Sequence, residues 1–263
     1  MIFNAAFESG GIKGLAYIGA LRFLESRGVK IYKTSGTSVG ALFAALISSG
    51  YTSTEIYQEI ESIDIDTLLK KNTFFTALKN IGANSIENLE NKLEELLKRK
   101  NIKTFGDLKV ANDYLLKVAV TDYSKKKKLI LPCDYKLLGY NPDDQLVSKA
   151  VCMSCSVPLL YSVYKYKNSL FADGGLVDKL PVSALTNEYP ILVFKISNDK
   201  RCIESLKGFT DDELRKKGIY VIKIDTLGIN SLNFKKGLEM RKTLYKNGYN
   251  AMKNYYEKHL NLY

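Results

Sequence analysis

Histidine and long apolar runs are both scarce in this sequence. Among the 263 residues there is 1 histidine, His259, close to the end of the chain. No run of about 18 uncharged apolar residues occurs, so we expect no membrane-spanning helix. The first residues, Met1 to Glu8, lack the basic start and long apolar middle of a secretory signal. We therefore expect a cytoplasmic protein, with membrane contact only from the periphery.

Cysteine is also infrequent: the 4 residues are Cys133, Cys152, Cys155 and Cys202. Cys152 and Cys155 have the spacing of half a zinc site or of a redox pair. A structural zinc ion needs four ligands, and the sequence offers neither a second cysteine pair nor a paired histidine motif. Reduced, partly buried thiols on a helix are therefore favoured, and no metal site is expected.

No repeat, low-complexity tract or linker rich in proline or serine divides the chain. Its apolar content of 46% is enough for a large core. Several predicted strands are continuous runs of Val, Ile and Leu, which is typical of strands covered on both faces of a parallel or mixed sheet. The predicted strands are 2–7, 29–33, 114–120, 129–131, 191–196 and 219–224, and predicted helices alternate with them. This order predicts an α/β fold.

The net charge of +11 favours an anionic partner. Nucleic acid and anionic lipid surfaces both qualify, but no nucleic-acid recognition motif is present, so we expect no nucleic acid. A lysine-rich solvated surface is the plainer explanation. The run from Lys125 to Lys128, for example, lies between two predicted strands and is consistent with a hairpin turn.

The segment 63–84 is the least regular part of the chain. It mixes leucine, phenylalanine and isoleucine with lysine, as a lid with lipid-facing side chains and basic anchors would. Helices folded over the core would have the same composition, so both interpretations stay open.

The most informative motif is Gly36-Thr37-Ser38-Val39-Gly40, which follows a predicted strand and precedes an apolar helix. A G-x-S-x-G turn in that context is typical of a nucleophile elbow, in which glycines permit a sharp bend that exposes the serine hydroxyl. The N-terminus of the following helix would favour a developing oxyanion. One such pentapeptide occurs by chance, but two further motifs accompany it.

The second motif is Ser9-Gly10-Gly11-Ile12-Lys13-Gly14, between the first strand and a helix that begins near Leu15. Its glycines let backbone N–H groups approach an anion. A dinucleotide-binding turn is disfavoured, because that fingerprint requires glycine where Ser9 stands. Lys13 would oppose the dipole of the helix, so it is either solvated, a brace for the loop, or directed at an anionic substrate.

The third motif is Asp173-Gly174-Gly175, which predicts a tight turn with a carboxylate at its edge. A serine hydrolase normally uses histidine as its base. Because His259 lies near the end of the chain, where disorder is common, a Ser–Asp dyad fits better than a triad. Asp122 and Asp225 also follow predicted strands and compete with Asp173 for the role of base.

In this order the three motifs resemble those of the patatin-like phospholipase family. The small-residue stretch from Ala150 to Pro158 also resembles a helix of that family, and the resemblance covers about residues 2–200. Ser9 departs from the pattern, since the family usually has glycine there. The resemblance implies a three-layer α/β/α sandwich around a mainly parallel sheet, and a single acyl hydrolase domain over 1–263 whose C-terminal strand and helix occupy about 201–263.

The same resemblance implies a lipid acyl hydrolase of the phospholipase A or lysophospholipase type, with a phospholipid or another lipid ester as substrate. Ser38 would be the nucleophile, Asp173 the general base, and the N–H groups of Gly10, Gly11 and Val39 the oxyanion hole. Lys13, Gly14, Gly36, Gly40, Gly174 and Gly175 would support the motifs. No cofactor is required. The alternatives are a lipid transacylase at the same site and a non-catalytic lipid-binding protein; the sequence leaves the oligomeric state open.

Overall fold

The computed structural model describes residues 1–61, 83–157, 163–196 and 206–260, without the side chains of 83–85. Its centre is a mixed, mainly parallel sheet with the strand order β10-β9-β1-β2-β5-β8-β7, and β6 pairs with β5 outside this order. The strands of this sheet are β1 (Ile2–Phe7), β2 (Lys30–Gly36), β5 (Leu116–Asp122), β6 (Lys127–Leu131), β7 (Tyr164–Tyr166), β8 (Ser169–Asp173), β9 (Ile191–Lys195) and β10 (Ile219–Lys223). A separate antiparallel pair consists of β3 (Lys109–Val110) and β4 (Asp113–Tyr114).

Helices cover the sheet and connect its strands. They are α1 (Leu15–Ser26), α2 (Val39–Ser48), α3 (Ser53–Glu61), α4 (Ala83–Arg99), α5 (Val147–Cys155), α6 (Asp211–Lys216), α7 (Phe234–Glu239) and α8 (Arg241–His259). The long pair α1 and α8 packs closely, because Gly19 and Gly248 leave no side chain between the two backbones. None of the described helices combines the length and the apolar character needed to cross a membrane.

The parallel strands bury both faces, and this explains their continuous apolar sequences. On β9, Leu192 and Phe194 join the larger core, which includes α1, α2, α4 and α5. Ile191 and Val193 of the same strand point to the other face and join a smaller core with Leu214 of α6. Helices on both faces make the molecule a three-layer α/β/α sandwich, and the predicted fold class is confirmed.

Strands β1, β2, β9 and β10 run parallel, as does β5 beside β2. Their carboxyl ends therefore meet at one edge of the sheet, which is where open α/β sheets place ligand sites. The loop that holds Ser9 follows β1, and the Ser38 turn follows β2. Strand β8 runs antiparallel to β5 and is short, so its last residue, Asp173, lies opposite Val120, only two positions beyond the level at which Gly36 ends β2.

The sequence-based elements agree with this arrangement apart from several boundaries and one hairpin. The predicted strands all occur, although β2 and β5 extend two or three residues further toward the site than expected. Strands β7 and β8 were not predicted. Lys125 and Lys126 lie in the turn between β5 and β6, as the hairpin interpretation required. The possible lid at 63–84 lies outside the described residues, except for its last two positions at the start of α4.

Candidate active site

Ser38 occupies a strained turn between β2 and α2. Its backbone has φ 55° and ψ −125°, a combination that non-glycine residues seldom adopt. It stands at the N-cap of α2, so the first N–H groups of that helix point toward its side chain. The residue is half-buried, which leaves its hydroxyl open to a ligand. This is the geometry of a nucleophile elbow.

The two glycines of the elbow are required by crowding. A Cβ atom at Gly36 would collide with the backbone of Gly40 and Ala41, and one at Gly40 would collide with the carbonyl oxygen of Phe7. In each case the obstacle is backbone, so a neighbouring side chain cannot move aside to make room. The G-x-S-x-G spacing therefore lets the turn close against the end of β1.

Asp173 ends β8 and is buried beside the elbow, with a relative exposure of 6%. Its Oδ1 accepts a hydrogen bond of 2.6 Å from the N–H of Gly175. Gly174 passes over the carbonyl oxygen of Ala119 so closely that a Cβ would collide with it. The two glycines thus allow a tight turn, in which the N–H group of Gly175 binds the Asp173 carboxylate.

The Ser38 hydroxyl lies beside the Asp173 carboxylate, close enough to lower its pKa. Burial raises the pKa of Asp173 to about 6, although the Ser38 hydroxyl, the hydrogen bond from Gly175 and the charge of Lys179 lower it in part. Desolvation disfavours the charged form and is the largest effect. The carboxylate is therefore a stronger base than an ordinary aspartate but is still mostly ionised near neutral pH.

The glycine loop lies on the other side of Ser38. It forms a 3-10 turn over Gly11–Gly14, after which α1 begins at Leu15. Gly11 has φ 54° and lies directly against the carbonyl oxygen of Ser231, where no side chain would fit. Within the described residues, no hydrogen-bond acceptor is found for the N–H groups of Gly10, Gly11 or Val39. Gly10 and Gly11 belong to the loop after β1, and Val39 is the residue directly after Ser38 at the start of α2.

Lys13 lies in the last turn of the 3-10 segment, and not in the first turn of α1 as its sequence position suggested. Burial lowers its pKa, while the charge of Glu8 raises it and that of Lys179 lowers it. Gly14 contacts Val39 and Phe43 of α2, so it brings the glycine loop close to the elbow. Two lysines, Lys13 and Lys179, thus lie near the dyad.

The other acidic candidates have structural roles. Asp122 accepts a 3.0 Å hydrogen bond from the N–H of Lys125 and thereby closes the β5–β6 turn. Asp225 is exposed and accepts a 2.8 Å bond from the N–H of Leu227. His259 packs on the ring of Tyr255, with Arg215 and Lys258 as charged neighbours.

Two residues that the sequence did not assign to the site also contact the elbow. Ser154 of α5 accepts a 2.8 Å hydrogen bond from the Ser38 N–H. Cys155 lies next to the Ser38 side chain, and burial raises the pKa of its thiol, so that it stays protonated. Cys152 and Cys155 are free and buried on α5, as expected; Cys202 lies outside the described residues. No cluster of histidine, cysteine and carboxylate side chains able to hold a metal occurs in the described ranges.

The fold and the two turns are typical of α/β hydrolases. A family model described as patatin-like phospholipase matches residues 5–186. The chain belongs to the patatin-like phospholipase family.

Two similar proteins come from a bacterium and a virus. The Bacillus subtilis (strain 168) protein YqhO is 34% identical over 201 residues, which cover 72% of this chain and 68% of that protein. A protein of Invertebrate iridescent virus 6, named as a probable lipid hydrolase, is 27% identical over 66% of this chain and 60% of its own length. The chain thus spans about two thirds of the length of these relatives.

Solved structures with a similar fold include two bacterial proteins. VipD from Legionella pneumophila superimposes with a TM-score of 0.55 at 16% identity, covering 98% of this chain and 67% of that one. ExoU of the Pseudomonas aeruginosa type III secretion system, solved with SpcU, gives a TM-score of 0.55 at 18% identity and covers 98% of this chain and 51% of ExoU. At sequence identities this low, the similarity shows a shared fold only.

Proposed function

We propose that the chain is a lipid acyl hydrolase of the phospholipase A or lysophospholipase type that acts through Ser38 and Asp173. The observation that carries the proposal is the position of a serine hydroxyl, on a strained and half-buried elbow, beside a buried carboxylate. Serine elbows of this kind present a nucleophile, and the adjacent base removes its proton. We further propose that residues 1–263 act as one domain.

The reaction proceeds in two steps. The Ser38 oxygen attacks the ester carbonyl carbon while Asp173 takes the hydroxyl proton. The C–O bond to the leaving alcohol breaks, Asp173 returns the proton to that alcohol, and the acyl group remains on Ser38. Water then attacks the acyl-enzyme with Asp173 as base, which releases the fatty acid and restores the serine. General-base assistance contributes about 10²–10⁴-fold to such a step.

Hydrogen-bond donors are needed to stabilise the negative charge that develops on the carbonyl oxygen of the ester. The N–H groups of Gly10, Gly11 and Val39 suit this role, because they have no acceptor within the described residues and belong to the glycine loop and to the residue after Ser38. One such donor is worth about 10²–10³-fold in kcat. Gly14 supports the assignment, since it packs against Val39 and so brings the loop close to the elbow.

The substrate class follows from the charges beside the dyad. Lys179 acts electrostatically on both Asp173 and Lys13, so the two lysines share one region next to the ester-binding position. A phosphate group attached near the ester would place its charge between them. This favours phospholipids and lysophospholipids over neutral esters.

Peripheral contact with an anionic membrane is part of the same proposal. Tyr123, Leu176, Leu227 and Leu232 are 44–57% exposed and follow strands or turns that end at the edge where Ser38 lies. Exposed apolar side chains beside lysines favour binding to anionic lipid surfaces. Leu227→Asp is expected to lower the fraction bound to vesicles of phosphatidylglycerol, and Leu137→Asp at the opposite edge is the matched control. Equal binding by both variants would contradict the assignment of this edge.

Two alternatives share the scaffold. A transacylase would pass the acyl group from Ser38 to an alcohol or a lipid, which product analysis with a labelled phospholipid distinguishes from hydrolysis. A non-catalytic lipid-binding protein would not react with a fluorophosphonate. The strain retained at Ser38 favours catalysis, because strained backbone is costly to keep at a site without function.

The deciding experiment is a panel of phospholipids and short-chain esters assayed with the wild type, Ser38→Ala and Ser49→Ala. Ser49 lies at the other end of α2, where its hydroxyl donates to the Ala45 carbonyl, so it controls for loss of a serine on the same helix. We expect fatty-acid release by the wild type and Ser49→Ala and none above background by Ser38→Ala. Turnover by Ser38→Ala at the wild-type rate would refute the proposal.

A further inference from the structure

Ser154 occupies an unusual position between the elbow and the central sheet. It lies near the end of α5, and its side chain is completely buried. Its hydroxyl donates to the carbonyl oxygen of Ala119 at 2.6 Å. Since that donation uses its proton, the oxygen is left as an acceptor, and it receives the Ser38 N–H at 2.8 Å. One hydroxyl thus links the elbow backbone to β5, beyond the point where Gly36 of β2 pairs with Val118.

The Ser38 N–H would otherwise have no backbone partner. Ser38 is the N-cap of α2, and an N–H at this position has no acceptor within its own helix. The residue also has a positive φ, a conformation that persists only where the surroundings enforce it. A buried acceptor directed at this N–H stabilises the strained backbone, and the orientation of that backbone sets the direction of the Ser38 hydroxyl.

The second partner connects the same hydroxyl with Asp173. Ala119 lies in the middle of β5, and the next residue of that strand, Val120, pairs with Asp173. Gly174 also packs directly over the Ala119 carbonyl oxygen. The position of this carbonyl is therefore coupled to the Asp173 turn. Ser154 is therefore hydrogen-bonded both to the Ser38 backbone and to β5, the strand that pairs with Asp173.

The adjacent residue adds a contact to the nucleophile's side chain. Cys155 is buried beside the elbow, with its sulfur next to the Ser38 side chain. The last turn of α5 thus contacts Ser38 twice, at the N–H through Ser154 and at the side chain through Cys155. A helix that contributes no residue to the dyad therefore fixes the position of the nucleophile.

We propose that Ser154 is a positioning residue, which holds the Ser38 backbone so that its hydroxyl faces Asp173. This inference rests on the proposed Ser38–Asp173 mechanism. Ser154 itself does not touch the ester. Its removal should slow acylation without weakening substrate binding, because misplacing a nucleophile by about 1 Å costs on the order of 10²-fold in rate.

The test compares Ser154→Ala with Ser148→Ala. Ser148 is a buried serine of the same helix whose hydroxyl donates to Glu94 at 3.0 Å, away from the elbow. We expect Ser154→Ala to lower kcat by about 10- to 100-fold with KM changed less than about threefold. Ser148→Ala should stay within about threefold of the wild type in both constants, as expected of a substitution outside the site.

Two further readouts distinguish positioning from a general loss of structure. The acidic limb of the pH–rate profile should move upward in Ser154→Ala, because the Ser38 hydroxyl that lowers the pKa of Asp173 is displaced. Ser154→Thr keeps the hydroxyl but adds a methyl group in a closed space. It should retain more kcat than Ser154→Ala, whereas a purely steric role would give the reverse order.

The result that overturns the inference is equal kcat for Ser154→Ala and Ser148→Ala, with an unmoved acidic limb. Failure of the mechanism itself is recognised separately, since Ser38→Ala would then match the wild type in the same assay. A folded Ser154→Ala, verified by circular dichroism, that reacts with a fluorophosphonate as fast as the wild type would also contradict the positioning role.

Discussion

Replacing Asp173 with asparagine should stabilise the protein at alkaline pH while abolishing its activity. The carboxylate is ionised there although it is buried, and its pKa is raised to about 6. The unfolded chain has a value near 3.9, so the difference of about 2 pKa units corresponds to about 3 kcal/mol. Asparagine carries no charge, and its Oδ1 still accepts from the Gly175 N–H. We expect a gain of about 2–3 kcal/mol in the free energy of unfolding at pH 8.

The pH dependence of this gain follows from the direction of the shift. Because the folded pKa is raised, the penalty of the wild type is fully present above pH 6, shrinks as the pH falls through 6, and is gone below about pH 4. The advantage of Asp173→Asn should therefore be large at pH 8 and absent near pH 4.

Urea unfolding of both proteins at pH 8, 6 and 4.5 measures this advantage, with Asp178→Asn as control. Asp178 is a second buried aspartate of the same turn, but it forms an ion pair of 2.9 Å with Lys128. Its replacement leaves that lysine unpaired, so no stabilisation is expected. An Asp173→Asn protein that is less stable than the wild type at pH 8 would refute the reasoning, because burial would then not be the dominant influence on this carboxylate.

Three further predictions concern the same site. The rate of short-chain ester hydrolysis should fall about tenfold per pH unit below pH 6, since protonated Asp173 is no base; a pH-independent rate between pH 5 and 8 would contradict this. Lys179→Met removes a positive charge near Asp173, so it should raise the pH midpoint of that acidic limb and reduce the preference for phospholipid over neutral ester. If neither the midpoint nor the preference changes, Lys179 does not act at the site. Gly36→Ala should destabilise the fold by about 1–3 kcal/mol or more, measured by urea unfolding, because its Cβ meets the Gly40 backbone; a neutral effect would show that the elbow can open.

Much of the architecture could be predicted because its signals are local. Continuous apolar runs marked β1, β9 and β10, and the periodic leucines of α4 marked an amphipathic helix. The hairpin of β7 and β8 was missed because both strands are short: β7 has 3 residues with a lysine in the middle, and β8 has 5 residues that begin with serine and end with aspartate. Asp173 was predicted from the two glycines that follow it, although the strand that it ends was not predicted.

The residues that contact and position the serine elbow could not be predicted, since their contacts join distant parts of the chain. Ser154 is 116 positions from the N–H it accepts, and nothing in the pattern of α5 distinguishes it from a small core residue. The same holds for Lys179, whose relation to Asp173 arises only when the turn folds back. Local sequence patterns predict turns and strands, whereas the hydrogen bonds between them require the fold.

The most direct test of the account identifies the residue that carries the acyl group. Incubation with a fluorophosphonate bearing an alkyl chain, followed by peptide mass spectrometry, should find a single modification on Ser38 and stoichiometric loss of phospholipid hydrolysis. Asp173→Asn should be labelled far more slowly, because its Ser38 hydroxyl lacks a base. Modification of another residue, with Ser38 unlabelled and hydrolysis lost, would contradict the assignment of the nucleophile.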